Sequence, residues 1–197
     1  MASMRSGITL PSILILALLG LPARAASVAD TLSEAALAQT QVHTVYDGSY
    51  VKLSYPGGDV APDRGVCTDV VIRAYRRAGV DLQVVVHEDM TKVFGVYPKK
   101  WGRRSPDPNI DHRRVPNLMT FFKRRGAALP ITKRAADYLP GDVVAWDLGH
   151  GLTHIGLVVD RKSASGRYQI VHNIGAGPQL EDVLFDWTVI GHYRYAP

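Results

Sequence analysis

The chain is 197 residues long, with 23 Lys and Arg against 18 Asp and Glu, a formal charge of +5, and a single cysteine, Cys67. One thiol excludes an internal disulfide framework, and the length suits one ordinary domain with a core of its own. The charge bias is mild, and two of the basic residues, Arg5 and Arg24, lie in the N-terminal segment described next.

Residues 1–25 read as a signal peptide, with Arg5 as the positive region, Ile8 to Leu21 as the apolar stretch and Ala23-Arg24-Ala25 as the small-x-small cleavage pattern. The apolar stretch is too short and too interrupted to span a bilayer well, and no second one of spanning length follows. The expectation is an exported protein, periplasmic or secreted, with no stable membrane anchor after cleavage and no nucleic-acid partner. Residues 26–197 then form a single domain.

Ser27 to Gln41 is Ala- and Leu-rich without a breaker and predicts an outer helix. Tyr50 to Tyr55 alternates like a short strand, and the Pro and Gly residues from Pro56 to Gly65 force a loop. A helix is predicted to begin near Cys67, with Val70, Val71, Ala74 and Ala78 near one face and Gly79 as its stop. Asp81 to Met90 fits helix and strand alike. Tyr97 to Pro116 is irregular, Pro-rich and basic; with the helix bracketed by Pro116 and Gly126 it makes an insertion at about 97–125. Four strands follow, Val143 to Trp146, His154 to Asp160, Arg167 to Asn173 and Thr188 to Tyr195, the second and third joined by a hairpin at Ser163 to Gly166. Helices first and an antiparallel sheet afterwards make an α+β fold.

A thiol at the first turn of a helix gains from the helix dipole and from unpaired N–H groups, which favour the thiolate and offer the Cys67 N–H to a developing oxyanion. A base is then needed. In the strand from His154, the period of two puts His154, Gly156 and Val158 on one face, and Gly156 leaves room there for a sulfur or a substrate. On the next strand His172 points with Ile170 and Tyr168, where it can bond the far nitrogen of His154 and hold its tautomer. Asn173 points oppositely, and is the reserve for that third place.

These residues carry a resemblance. Cys67 opening a helix, Pro140-Gly141-Asp142 leading into a Val-rich strand, His154-Ile155-Gly156 and Val171-His172 resemble the NlpC-type cysteine peptidases of the papain-like superfamily. The resemblance implies a papain-like fold and a Cys67–His154–His172 site. It also implies a tyrosine twelve residues before the cysteine, here Tyr55, whose hydroxyl helps bind the oxyanion. The chain departs from it with Val66-Cys67-Thr68-Asp69 where the NlpC pattern has Asp-Cys-Ser-Gly. Gly65 to Tyr75, Asn109 to Leu118 and Gly191 to Tyr195 are closer to an exported bacterial family, domain of unknown function 1287, which implies no activity.

Asp111, His112 and Arg113 in the basic loop can bind a substrate carboxylate or tie the loop to the core. Asp69 joins them as a substrate-binding candidate, with capping of the helix start as its other reading. His87-Glu88-Asp89 lacks the second histidine of a helical zinc motif, and Gly149 and Gly151 argue against a helix through His150 and His154, so no metal or other cofactor is expected. Trp101, Trp146 and Trp187 are candidates for a glycan platform or for packing. The function expected is a monomeric thiol hydrolase of amide bonds, acting on peptidoglycan stem peptides or another cell-envelope amide. An acyltransferase on the same site and a non-catalytic envelope-binding module are the alternatives.

Overall fold

The computed structural model describes residues 26–196, so the signal-peptide reading of residues 1–25 lies outside the described residues. Helix α1, Val28–Gln39, starts at Ser27, whose Oγ accepts from the Asp30 N–H while the Asp30 carboxylate accepts from the Ser27 N–H. It packs on the outside of the domain, with Leu32 and Ala36 turned into the core and Asp30, Glu34 and Ala38 exposed, and the Ser33 hydroxyl accepts from the Asp160 N–H of the sheet at 2.7 Å. Two short strands, β1, Val45–Tyr46, and β2, Arg64–Gly65, pair in parallel ahead of α2, Cys67–Arg77. Val70, Val71, Ile72, Ala74 and Tyr75 of α2 are all buried, and Gly79 ends the helix region with a positive φ of 83°.

The ambiguous stretch after Asp81 is helix α3, Leu82–Val93, because the Asp81 side chain caps the Gln83 N–H at 3.0 Å. Tyr50 to Tyr55 is not a strand. Its Leu53 N–H donates to Asn109 Oδ1 and its Ser54 carbonyl accepts from Gln83, so its backbone pairs with side chains and not with a sheet. Helix α4, Val115–Arg124, follows the basic loop.

The sheet is antiparallel, in the order β6-β5-β4-β3-β7, from β3, Val143–Gly149; β4, Leu152–Lys162; β5, Tyr168–His172; β6, Gln179–Glu181; and β7, Thr188–Tyr193. Strand β6 carries no signal in the sequence, since three residues are too few to show alternation. One sheet face, with Val143, Ala145, Ile155, Leu157, Val159 and Val171, packs on the helices, and Cys67 belongs to that core. The other face, with Val144, Trp146, Val158 and Ile170, is covered by Tyr138 and Leu184 from the flanking loops. The architecture is α+β, as expected.

Gly156 does not leave open space. It pairs with His172, and a Cβ there would meet Ile170 Cγ2 at 2.7 Å and His172 Cβ at 3.0 Å. The glycine lets His172 pack close to the strand that carries His154. Gly156→Ala is therefore expected to cost about 1–3 kcal/mol through overpacking, read as a lowered urea midpoint at unchanged m.

Candidate active site

Cys67 takes the first position of α2, where its N–H has no acceptor within the helix. The local fold follows from Asp69: its Oδ2 accepts from the Val66 N–H at 2.7 Å and so closes the helix start from within. The sulfur is buried, with the residue only 5 % exposed. The expected lowering of the thiol does not hold in this resting state. Burial pushes Cys67 up to about 11, and the Asp69 charge adds to this, against an opposing pull from the backbone N–H groups of Ile155, Thr68 and Cys67 itself. Ile155 follows His154 in the chain, so the thiol lies beside the peptide that leads out of that histidine. The ring of His154, however, lies with Trp146, Val158 and His172 on the sheet face opposite the one whose core holds Cys67, and no hydrogen bond joins it to the sulfur.

His154 Nε2 lies 2.8 Å from His172 Nδ1, and His172 Nε2 lies 2.8 Å from Glu181 Oε2 on β6. The donors can be worked out from the outer end. A carboxylate only accepts, so His172 Nε2 carries the hydrogen; its Nδ1 then accepts from His154 Nε2–H, which leaves a lone pair on His154 Nδ1. Burial, reinforced by the neighbouring His172, pushes His154 down to about 3, so the ring is neutral at neutral pH and, in this resting state, a weak base. Burial also lowers His172, while Glu181 and Asp186 pull it back up. Trp146 stacks on His154 with centroids 5.7 Å apart, and Trp187 meets His154 and His172 edge-on at 5.8 and 5.9 Å. The Trp146 indole N–H donates to the Leu184 carbonyl at 3.0 Å, so this tryptophan is packing and not a glycan platform.

Asn173 does not share the third place: its amide donates to the Gly65 carbonyl at 3.4 Å and its Oδ1 accepts from the Gly175 N–H, so it ties the end of β5 to the approach to Cys67. Tyr55 is not brought to the thiol. It is 45 % exposed and sits edge-on to His87 at 5.3 Å, with Glu88 and Asp81 as its charged neighbours. The tyrosine beside the sulfur is Tyr46, 44 % exposed overall and with its hydroxyl end half-buried. Burial pushes that hydroxyl up to about 12, followed by the charges of Cys67 and Asp69 and a side-chain interaction with Cys67.

The substrate-binding expectation for Asp69, Asp111, His112 and Arg113 is corrected by their burial. Arg113 holds Asp69 side-on, Nε to Oδ1 and Nη2 to Oδ2 both at 2.9 Å, and also donates to the Ser49 and Asp47 carbonyls. Asp111 accepts from the Asp107 N–H and pairs with Arg114 at 3.4 Å. His112 is buried with Nδ1 unpartnered, and burial beside Arg113 pushes it down to about 4. These groups fasten the basic loop to the start of α2. Asp89 is similarly occupied by Tyr97 at 2.6 Å and Arg124 at 2.7 Å, and among the described residues no group of three or more His, Cys, Asp or Glu side chains gathers as a metal site would.

Glu181 and Tyr46 were not singled out by the sequence. Glu181 lies in a strand too short to recognise. Tyr46 could have been found only by considering every tyrosine before Cys67, since chain separation does not say where a loop returns.

The buried histidines set a pH dependence. Folded values of about 3 for His154 and about 4 for His112 lie below the ordinary 6.5, so between these limits the unfolded chain binds more protons than the folded one. Stability then rises with pH through that window and is lost as pH falls, on the order of 3 kcal/mol for each group. Urea midpoints measured from pH 4 to 7 should rise, and His112→Gln should flatten the slope.

The family model "Domain of unknown function (DUF1287)" matches residues 33–195, nearly all of the described chain. The chain belongs to the DUF1287 family. A relative in the same size range, "Uncharacterized protein YijF" of Escherichia coli strain K12, is 58 % identical to this DUF1287 chain over 150 residues, which cover 76 % of this chain and 73 % of the relative. Among solved structures, NlpC1 from Trichomonas vaginalis aligns at 16 % identity and a TM-score of 0.47, over 88 % of this chain and 46 % of that one. The DUF1287 chain thus spans less than half the length of that structure.

Proposed function

We propose that this protein is a thiol hydrolase of amide bonds, with Cys67 as nucleophile and His154 as its base. The observation that carries the reading is the Glu181–His172–His154 relay, which leaves the one unused lone pair on His154 Nδ1, on the residue next to the peptide that borders the thiol. The chain of hydrogen bonds fixes the tautomer of each ring, as the third member of a nucleophile–base–orienter set does.

The chemistry runs as an acyl transfer. The Cys67 sulfur attacks the carbonyl carbon as its proton passes to His154 Nδ1, and the oxyanion takes the Cys67 N–H and the Tyr46 hydroxyl. The C–N bond breaks as His154 gives its proton to the departing amine, leaving a thioester. Water then attacks the thioester with His154 as base, releasing the carboxylic acid and returning the proton to sulfur. The reading requires substrate binding to bring the thiol and His154 Nδ1 together, since at rest they lie on opposite faces of the sheet and the thiol is neutral. The substrate class proposed, stem peptides of peptidoglycan, rests on the NlpC resemblance of the motifs.

A non-catalytic envelope-binding module is the second reading, favoured by the burial of Cys67 and its raised thiol. Mass spectrometry of purified sacculi and of small peptide amides, treated with wild type and Cys67→Ala, separates the readings. New carboxyl products from wild type alone support the hydrolase. Identical product sets from the two proteins refute it. A competing amine that appears in the product in place of water would assign the acyltransferase alternative.

A further inference from the structure

The charge of this chain is concentrated in one stretch. Residues 92–125 hold ten Lys and Arg against two Asp, a surplus of eight in a chain whose total is +5, so the remainder is net acidic by three. Both aspartates are buried and internally engaged: Asp107 pairs with Arg103 at 2.7 Å and Asp111 with Arg114. Lys92, Lys100, Arg104 and Lys123 are exposed and form no ion pair among the described residues. Part of the stretch gathers at one place. Phe94, Lys99, Trp101, Arg103 and Arg114 surround one small hollow between the end of α3 and the start of α4. At the other end of α4, Arg124 and Arg125 reach Asp89 on α3.

Two apolar side chains are exposed among these cations. Val96 is 56 % exposed and Trp101 39 %, the latter with the Arg114 guanidinium 4.1 Å from its ring centroid. A soluble polyanion would use the charges and leave Val96 and Trp101 in water. An interface of anionic headgroups over acyl chains accommodates both, with Lys and Arg at the phosphate level and tryptophan at the boundary.

We propose that this face docks the protein reversibly onto an anionic phospholipid bilayer. The docking is peripheral, and no helix among the described residues is long and apolar enough to cross a membrane. It also places the surface next to the catalytic helix, because Arg113, adjacent to Arg114, is the residue that clamps Asp69.

The test is co-sedimentation of residues 26–197, the form expected after signal cleavage, with vesicles of phosphatidylcholine alone and of phosphatidylcholine mixed with phosphatidylglycerol, which keeps the apolar stretch of residues 8–21 from partitioning by itself. The expected result is binding to the phosphatidylglycerol vesicles that weakens with added salt, and at least about a 25-fold loss of partitioning in Lys100→Glu/Arg104→Glu, from roughly fivefold for each cation at the surface. Both side chains are exposed and unpaired, so that variant keeps its fold. Acyl chains brominated near the headgroup should quench tryptophan fluorescence in wild type and not in Trp101→Phe. Equal partitioning onto both vesicle types, or full binding by the charge-reversed variant, overturns the proposal. So does binding that heparin competes away with no quenching by the brominated lipid, which would assign a soluble polyanion instead.

Discussion

Cys67→Ala is expected to lower amide hydrolysis by about 10⁴-fold or more, and His154→Ala by a similar factor, with the double variant little worse than either single one. The reason is that the two groups act in the same step: without the sulfur there is no acyl enzyme, and without the His154 lone pair the buried thiol, held up to about 11, cannot ionise as it attacks. Glu181→Gln tests the outer end of the relay. An amide can present N–H to His172 Nε2 and so permit the opposite tautomer, in which His154 Nε2 becomes the acceptor and the lone pair on Nδ1 is lost. Glu181 is partly exposed, so the loss should be smaller, on the order of tenfold, and should fall on kcat more than on KM. Steady-state kinetics on whichever amide the product analysis identifies would check all four variants. If the losses at Cys67 and His154 instead multiply in the double variant, the two residues do not share a step and the mechanism fails.

The second large effect is on stability. Asp69 and Arg113 are both buried and paired through two bonds of 2.9 Å, and Asp69 also closes the start of α2. Arg113→Met leaves a buried carboxylate with one backbone N–H in place of a guanidinium, and strips the Ser49 and Asp47 carbonyls of their donor. The expected cost is about 3–5 kcal/mol, or a melting temperature lowered by roughly 10 °C. Asp69→Asn should cost a comparable amount by leaving the guanidinium uncompensated. Asp69→Asn/Arg113→Met should cost clearly less than the two single changes together, since the second change removes the charge that the first had stranded. Thermal melts of the four proteins measure this. Were the pair instead a substrate clamp, the single variants would melt normally and show their defect in KM.

The pairing of the two histidines could be read from the sequence because it rests on local rules. The period of two places His154 and His172 on one sheet face once the hairpin at Ser163 to Gly166 is recognised, and the turn residues there are explicit; the Ser163 N–H indeed donates to the Arg167 carbonyl at 2.9 Å. Glu181 escaped because β6 has three residues and its partner is fixed only by the register of β5 and β6, in which His172 faces Gln179. Tyr46 was missed and Tyr55 chosen because a spacing of twelve residues says how far the chain runs and not where it returns. The loop from Asp47 to Asp63 carries Tyr55 away to α3, while the β1–β2 pairing brings Tyr46 back beside Cys67.

The basic loop shows the same division. Its composition marks it as a stretch of unusual charge, and its irregular Pro-rich character is visible in the sequence. Which of its charges face solvent was not visible, because an arginine reads alike whether it is exposed or clamped, and only the fold places Arg113 against Asp69 and leaves Lys100 and Arg104 free. The sequence by itself determined the helix that begins at the lone thiol, the four longer strands, the α+β order and the two histidines on one sheet face, all of which depend on neighbours within a few residues. The tertiary structure decided which tyrosine meets the thiol, which carboxylate ends the relay, which ion pair is buried and whether the thiol rests as a neutral group, because each depends on segments distant in the chain and on the desolvation that their packing imposes.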